Sequence, residues 1–202
     1  MAFVHVITPE CAEDKLAKIY KMVSGPDKQV DQVLQVHSLR PHTLEGHMAL
    51  YKAVLHHRAN KLPEWFLEVI GVLVSRINGC AYCDQHHTAG MKNLMLKQGL
   101  PFDQYNLALK QASPGAPFTA LEQAALAYVD KLSRQPSSIA RADIELLQQQ
   151  GFDDGEILEI NQVAAYFAYA NRTVSGLGVT TEGETLGLSP GQGEGREAWQ
   201  HD

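Results

Sequence analysis

The chain has 202 residues, 45% of them hydrophobic and 20% charged, with a formal net charge of −6. That length is enough to bury a real core as one domain, and the composition is ordinary for a globular protein. The negative balance argues against nucleic acid as the main partner. No apolar run reaches the roughly 18 residues of a membrane span, since Val69 to Val74 is too short and is flanked by Glu68 and Arg76.

The start, MAFVHVITPECAEDK, has no basic region followed by an apolar one, so no signal peptide is expected. Thr8-Pro9-Glu10 reads as a helix start, with Leu16, Ile19, Tyr20 and Val23 at helical spacing behind it and Ser24-Gly25-Pro26 as its stop. Cys11 falls in that first turn with no second cysteine or histidine near it, and reads as a bystander. Residues 29–38 suggest a short helix ended by Pro41, and 42–58 a longer one with Leu44, Met48, Tyr51 and Leu55 on one face. His42, His47, His56 and His57 fall in this region and read as surface or partly packed side chains, although His47 can face a pocket.

The stretch from Pro63 to Gly99 carries the chemistry. Pro63 suits a helix first turn, and Trp65, Phe66, Val69, Ile70, Val72, Leu73 and Ile77 follow at helical spacing. Gly79 is a left-handed stop, and a second helix starts at or just after Cys80 and runs to about Gln98, with Gly99 as its stop. Cys80, Cys83 and His87 are spaced i+3 and i+4, so one helix face holds them together. The cysteines lie in the first turn, where unpaired N–H groups and the positive end of the helix dipole favour a thiolate. Glu68 lies twelve residues before Cys80. In one straight helix that separation would be roughly 18 Å, whereas a reversal at Asn78-Gly79 brings the carboxylate level with His87. A carboxylate orients a neighbouring imidazole, and a histidine one turn from a cysteine can take its proton. An unpaired carboxylate in so apolar a helix would be costly, and His87 is the available partner.

Farther on, residues 103–112 suggest a short helix and Ser113-Pro114-Gly115-Ala116-Pro117 a linker. Thr119-Ala120-Leu121-Glu122 is a capping box, with Leu121, Ala125, Tyr128 and Leu132 on one face behind it. Residues 139–150 form a helix stopped by Gly151, and a cap at Asp153 to Glu156 opens a long helix to about Ser175, its apolar face made by Ile157, Ile160, Ala164, Phe167 and Val174. Tyr166, Phe167 and Tyr169 read as core or subunit contact. From Gly176 the chain turns Gly-rich and non-helical, an extended tail expected to pack on the body or on a neighbouring subunit, with its last ten residues loose. The expectation is one all-α domain over 1–202, its core at about 9–176 and its tail at 177–202. Of three cysteines two form the CxxC, which fits a reducing cytoplasm better than a disulfide framework.

At Glu68, Cys80, Cys83 and His87, in the context NGCAYCDQHH, the sequence resembles the carboxymuconolactone decarboxylase-like superfamily, in its AhpD-like alkylhydroperoxidase branch. FTALEQAALAYVDKLSRQP and GFDDGEILEINQVAAYFAYANRTVSGLGV are similar to the peroxidase-related subgroup, so the resemblance covers roughly residues 35–180. It implies an AhpD-like helical bundle with an antiparallel helix pair carrying the CxxC, assembly into dimers, trimers or hexamers, and reduction of hydroperoxides through the cysteine pair. Cys83 would attack the peroxide, Cys80 would resolve it, and Glu68 and His87 would relay protons. Tyr82 departs from the best-studied alkylhydroperoxidase pattern, which has histidine between the cysteines. Tyr82 and His86 could bind or orient the hydroperoxide. An external dithiol would restore the pair, since the sequence has no flavin or nicotinamide site, and no cofactor is expected. Two alternatives stand beside this reading. Cys80, Cys83, His86 and His87 could hold zinc, although four ligands within eight residues of one helix do not readily surround a tetrahedral ion. A non-redox member of the fold would not need the cysteine pair.

Overall fold

Helices set by local signals carry most of the chain. The structure, a computed structural model, describes residues 2–24, 29–111 and 114–187. Helix α1 spans Asp14–Val23, α2 Gln32–Gln35, α3 Pro41–Tyr51, α4 Glu64–Ile77, α5 Ala81–Lys97, α6 Phe102–Ala108, α7 Ala120–Arg134, α8 Arg141–Gln150 and α9 Asp154–Gly176. No strand occurs among the described residues, so the fold is all-α. Capping boxes start α7 at Thr119 with Glu122 and α9 at Asp153 with Glu156, each satisfying end N–H groups reciprocally. Gly79, Gly99 and Gly151 take the left-handed conformation that ends α4, α5 and α8.

Two boundaries differ from expectation. Thr8-Pro9-Glu10 opens only a 3₁₀ turn, Pro9–Cys11, and Ala12 and Glu13 are extended before α1 begins at Asp14. Long-range bonds override the local start: Tyr20 Oη donates to the Ile7 carbonyl at 2.9 Å, and the Ile7 N–H donates to Ser38 Oγ at 2.9 Å. Pro41 starts α3 rather than merely ending the helix before it, because a proline at the first helical position gives up no hydrogen bond. The expected stop at Gly25-Pro26, Ser113 of the expected linker and the final ten residues lie outside the described residues.

The helix α4 is the hub. Residues Trp65 through Ser75 are all buried, and it packs on α5, α7 and α9. Its Gly71 lies so close to α9 that an added Cβ would sit 2.3 Å from the Phe167 ring. Arg76 fastens α4 to α5 through Asp84 Oδ1 at 3.0 Å and to α6 through Asn106 Oδ1 at 2.7 Å. The main core also takes in Leu16, Ile19, Leu44, Leu55, Met91, Leu126 and Ile160. Residues 177–187 form no helix and lie back along the body, where the Phe3 N–H donates to the Leu177 carbonyl and Gln29 Nε2 donates to that of Gly183. Among the described residues no helix is long and apolar enough to cross a membrane.

Candidate active site

The reversal at Gly79 puts the start of α5 beside α4. Glu68 is wholly buried, and its Oε2 lies 2.8 Å from His87 Nδ1. The other oxygen, Oε1, is buried with no protein partner. The His87 ring stands edge-on to Phe167 at 4.5 Å between centroids, which leaves it little freedom to turn. A carboxylate that holds one imidazole nitrogen leaves the other to exchange a proton.

Both cysteines of the pair are free and buried, at 2% and 3% exposure, and Cys80 is the N-cap of α5. Their environments separate them. The Cys83 thiol donates to the Cys80 sulfur and, together with backbone and Ser175 donors, holds the Cys80 thiol down to about 6 against burial. The same shared proton, together with burial, pushes the Cys83 thiol up. The shared proton thus favours a thiolate at Cys80 over one at Cys83. Asn171, 1% exposed, ties this corner together. Its Oδ1 accepts from Asn78 Nδ2 at 2.9 Å, its Nδ2 donates to Ser75 Oγ at 3.1 Å, and its side chain reaches Cys83.

Tyr82 and His86 face a different partner set from Glu68. The Val33 N–H donates to Tyr82 Oη at 3.2 Å, and the Tyr82 and His86 rings are 4.5 Å apart. Glu184, from the segment after α9, meets His86 Nε2 at 2.8 Å with one oxygen and accepts from the Gln32 N–H with the other. Burial pushes the nearby Asp31 carboxyl up, an effect that His86 partly offsets. Among the described residues no three His, Cys, Asp or Glu side chains are grouped as a metal ion would need.

A cavity of about 70 Å³ opens beside the pair, lined by Cys83, Tyr82, His86 and His87 and also by Asp31, Tyr51, His47 and Tyr166. Cys80 is not on its wall. His47 therefore does not read as a surface residue: it is 4% exposed, whereas His42 and His57 are exposed and His56 bonds Glu64 at 2.7 Å. His47 sits one turn from Leu44 and from Tyr51 on α3, and its place on that apolar face is the sequence signal for its burial. Tyr166 is core, as is Phe167, but Tyr169 is 41% exposed. Asp31 and Glu184 carry no local signal, since what brings them in is contact between distant parts of the chain.

The carboxymuconolactone decarboxylase family model matches residues 41–131, a span that holds all four motif residues. No curated protein matches the sequence. Among solved structures, an uncharacterized peroxidase-related protein from Silicibacter sp. TM1040 is 26% identical, with 88% of this chain and 87% of that one covered and a TM-score of 0.70. A peroxidase-related protein from Ralstonia eutropha, described as an alkylhydroperoxidase AhpD core, is 23% identical, with 89% and 91% covered and a TM-score of 0.75. A cysteine-to-alanine variant of the debrominase Bmp8, bound to 2,3,4-tribromopyrrole, is 16% identical, with 91% and 95% covered and a TM-score of 0.70. The last two likenesses speak for the fold alone.

Proposed function

The chain belongs to the carboxymuconolactone decarboxylase-like superfamily, in its AhpD-like branch, and from that premise we propose that it is a thiol-dependent peroxidase. The observation that carries this reading is a buried carboxylate, Glu68, bonded to His87, which lies one turn from Cys83 and two from Cys80, both free and buried. Cys83 is the sulfur on the cavity wall, so it meets the hydroperoxide. It gives its proton to the Glu68–His87 couple and attacks the distal oxygen. The S–O bond forms, the O–O bond breaks, and the departing oxygen takes the proton back, leaving a Cys83 sulfenic acid and an alcohol. The Cys80 thiolate then attacks the Cys83 sulfur and displaces hydroxide, which leaves as water by taking up from solvent the proton that Cys80 released on ionising. Two thiols and one hydroperoxide become a disulfide, an alcohol and water. An external dithiol returns the pair to its reduced state by exchange. Tyr82 and His86, on the same wall, orient the incoming peroxide.

The debrominase likeness brings in a bulkier electrophile that a dithiol can also reduce. The cavity favours the smaller one, because about 70 Å³ is less than half of the roughly 150 Å³ that admits a benzene ring in an engineered apolar cavity.

Intact-mass analysis after one equivalent of hydroperoxide tests the reading. The wild type is expected to lose two hydrogens, Cys80→Ser to gain one oxygen as a trapped sulfenic acid, and Cys83→Ser to stay unchanged and turn over no peroxide. A wild-type mass that does not move would sink the mechanism. An oxygen gained by Cys83→Ser rather than Cys80→Ser would reverse the two cysteine roles.

A further inference from the structure

Resting on the peroxidase reading, we propose that His47 is a substrate-binding residue whose Nδ1–H holds the proximal oxygen of a short, uncharged alkyl hydroperoxide while Cys83 attacks the distal one. His47 is 96% buried, being 4% exposed, and no protein group meets its Nδ1. Its Nε2 lies 3.4 Å from Tyr166 Oη. The phenol is buried and its ionisation is pushed up, so it stays a neutral hydroxyl that can donate to Nε2. In that arrangement the ring hydrogen sits on Nδ1. A buried N–H donor without an acceptor is costly in a folded protein, and such groups concentrate where a ligand supplies the missing partner.

The ring and the Cys83 sulfur line the same small cavity. A ligand seated against the sulfur in about 70 Å³ also lies within reach of the ring. Burial, with the His37 ring 5.1 Å away, holds His47 down to about 3, so the donor is neutral throughout the working range. A neutral, fixed donor in a water-poor site suits an oxygen that is uncharged when it binds and gains charge as the O–O bond breaks. The electron pair of that bond passes to the proximal oxygen, which His47 stabilises until the proton from His87 arrives. Cys83 sulfur is oxidised by two electrons and the peroxide is reduced by two. Glu184 behind His86 sets a carboxyl group against an anionic substrate, and the volume sets a limit on chain length.

The test uses the full chain with dihydrolipoamide as reductant and two substrates that differ in leaving group. Ethyl hydroperoxide releases a strongly basic alkoxide, and peracetic acid releases a weakly basic carboxylate. The donor should matter far more to the first. His47→Leu, which removes the donor at similar volume, is expected to lower kcat/KM for ethyl hydroperoxide roughly 10- to 100-fold and for peracetic acid by less than about 3-fold. His47→Gln, whose amide donates, should recover most of the loss. It also carries the comparison if the leucine variant does not fold. Equal losses on both substrates would show a merely structural role, and no loss on either would remove His47 from the binding site. If the wild type consumes neither substrate, the peroxidase reading falls as well, and the wild-type assay alone reveals this before any variant is made.

Discussion

Three histidines line one cavity, and the fold gives two of them, His87 and His47, opposite company. His87 has the Glu68 carboxylate on its Nδ1 at 2.8 Å. His47 has a phenol at 3.4 Å on one nitrogen, nothing from the protein on the other, and a second histidine ring 5.1 Å away. With a buried carboxylate beside it, an imidazole can hold a proton and hand it on. Without one, burial strips the ring of its charge and leaves a neutral donor. On the proposed reading, the same side chain serves as a proton carrier on α5 and as a neutral hydrogen-bond donor on α3.

The largest expected effect sharpens the sulfur side of this contrast. Cys83→Ala removes the thiol that is the main cause of Cys80 acidity, so the midpoint for Cys80 alkylation by iodoacetamide should rise from about 6 toward the ordinary 9. Near pH 6 a full shift to that value is a loss of about 500-fold in thiolate. A midpoint that stays put would assign the acidity to the helix end instead. Next, Glu68→Gln keeps the volume and removes the charge beside His87. It should slow peroxide turnover roughly 10- to 100-fold, the usual range for losing an outer partner of a working histidine. Equal wild-type and variant rates would dissolve the distinction between the two rings.

Gly71→Ala drives a methyl into Phe167, the ring that steadies His87. Urea unfolding should show a loss of about 1–3 kcal/mol. No loss would mean that Phe167 yields freely and does not fix His87. The smallest effect lies on the His47 side. In the unfolded chain this ring protonates near 6.5, but in the folded protein only near 3. Between those values the unfolded state binds more protons, so stability is lost as pH falls, by at most about 1.4 kcal/mol per pH unit from this group. His47→Leu should show a shallower decline than wild type from pH 6 to 4. Parallel curves would mean that the folded ring protonates readily.

Much of this molecule was legible because its signals are local. The capping boxes at Thr119 and Asp153 and the left-handed glycines at 79, 99 and 151 depend on neighbours a few residues away. The spacing of Glu68, Cys80, Cys83 and His87 needs only two helices and one turn between them. His47 was harder to place. It shares the apolar face of α3 with Leu44 and Tyr51, but His42, Thr43, Glu45 and Gly46 beside it are exposed, and packing against His37 and against Tyr166, 119 residues later, completes its burial. The bond between Glu184 and His86 spans 98 residues and rests on a Gly-rich stretch with no periodicity to read. The break at Ala12 and Glu13 went unseen for the same reason, because Ser38 and Tyr20 hold Ile7 from elsewhere in the chain.

The order of residues alone determined most of the helices, the glycine stops at 79, 99 and 151, and the grouping of an acid, a base and two thiols around one turn, since helical periodicity and a positive φ at glycine act over a few residues. Only the packed molecule decided which sulfur faces the cavity, which shares its negative charge, and which other histidine stands across from it. Those outcomes depend on burial and on partners supplied by distant segments, and desolvation is a property of the whole assembly of helices rather than of any one of them.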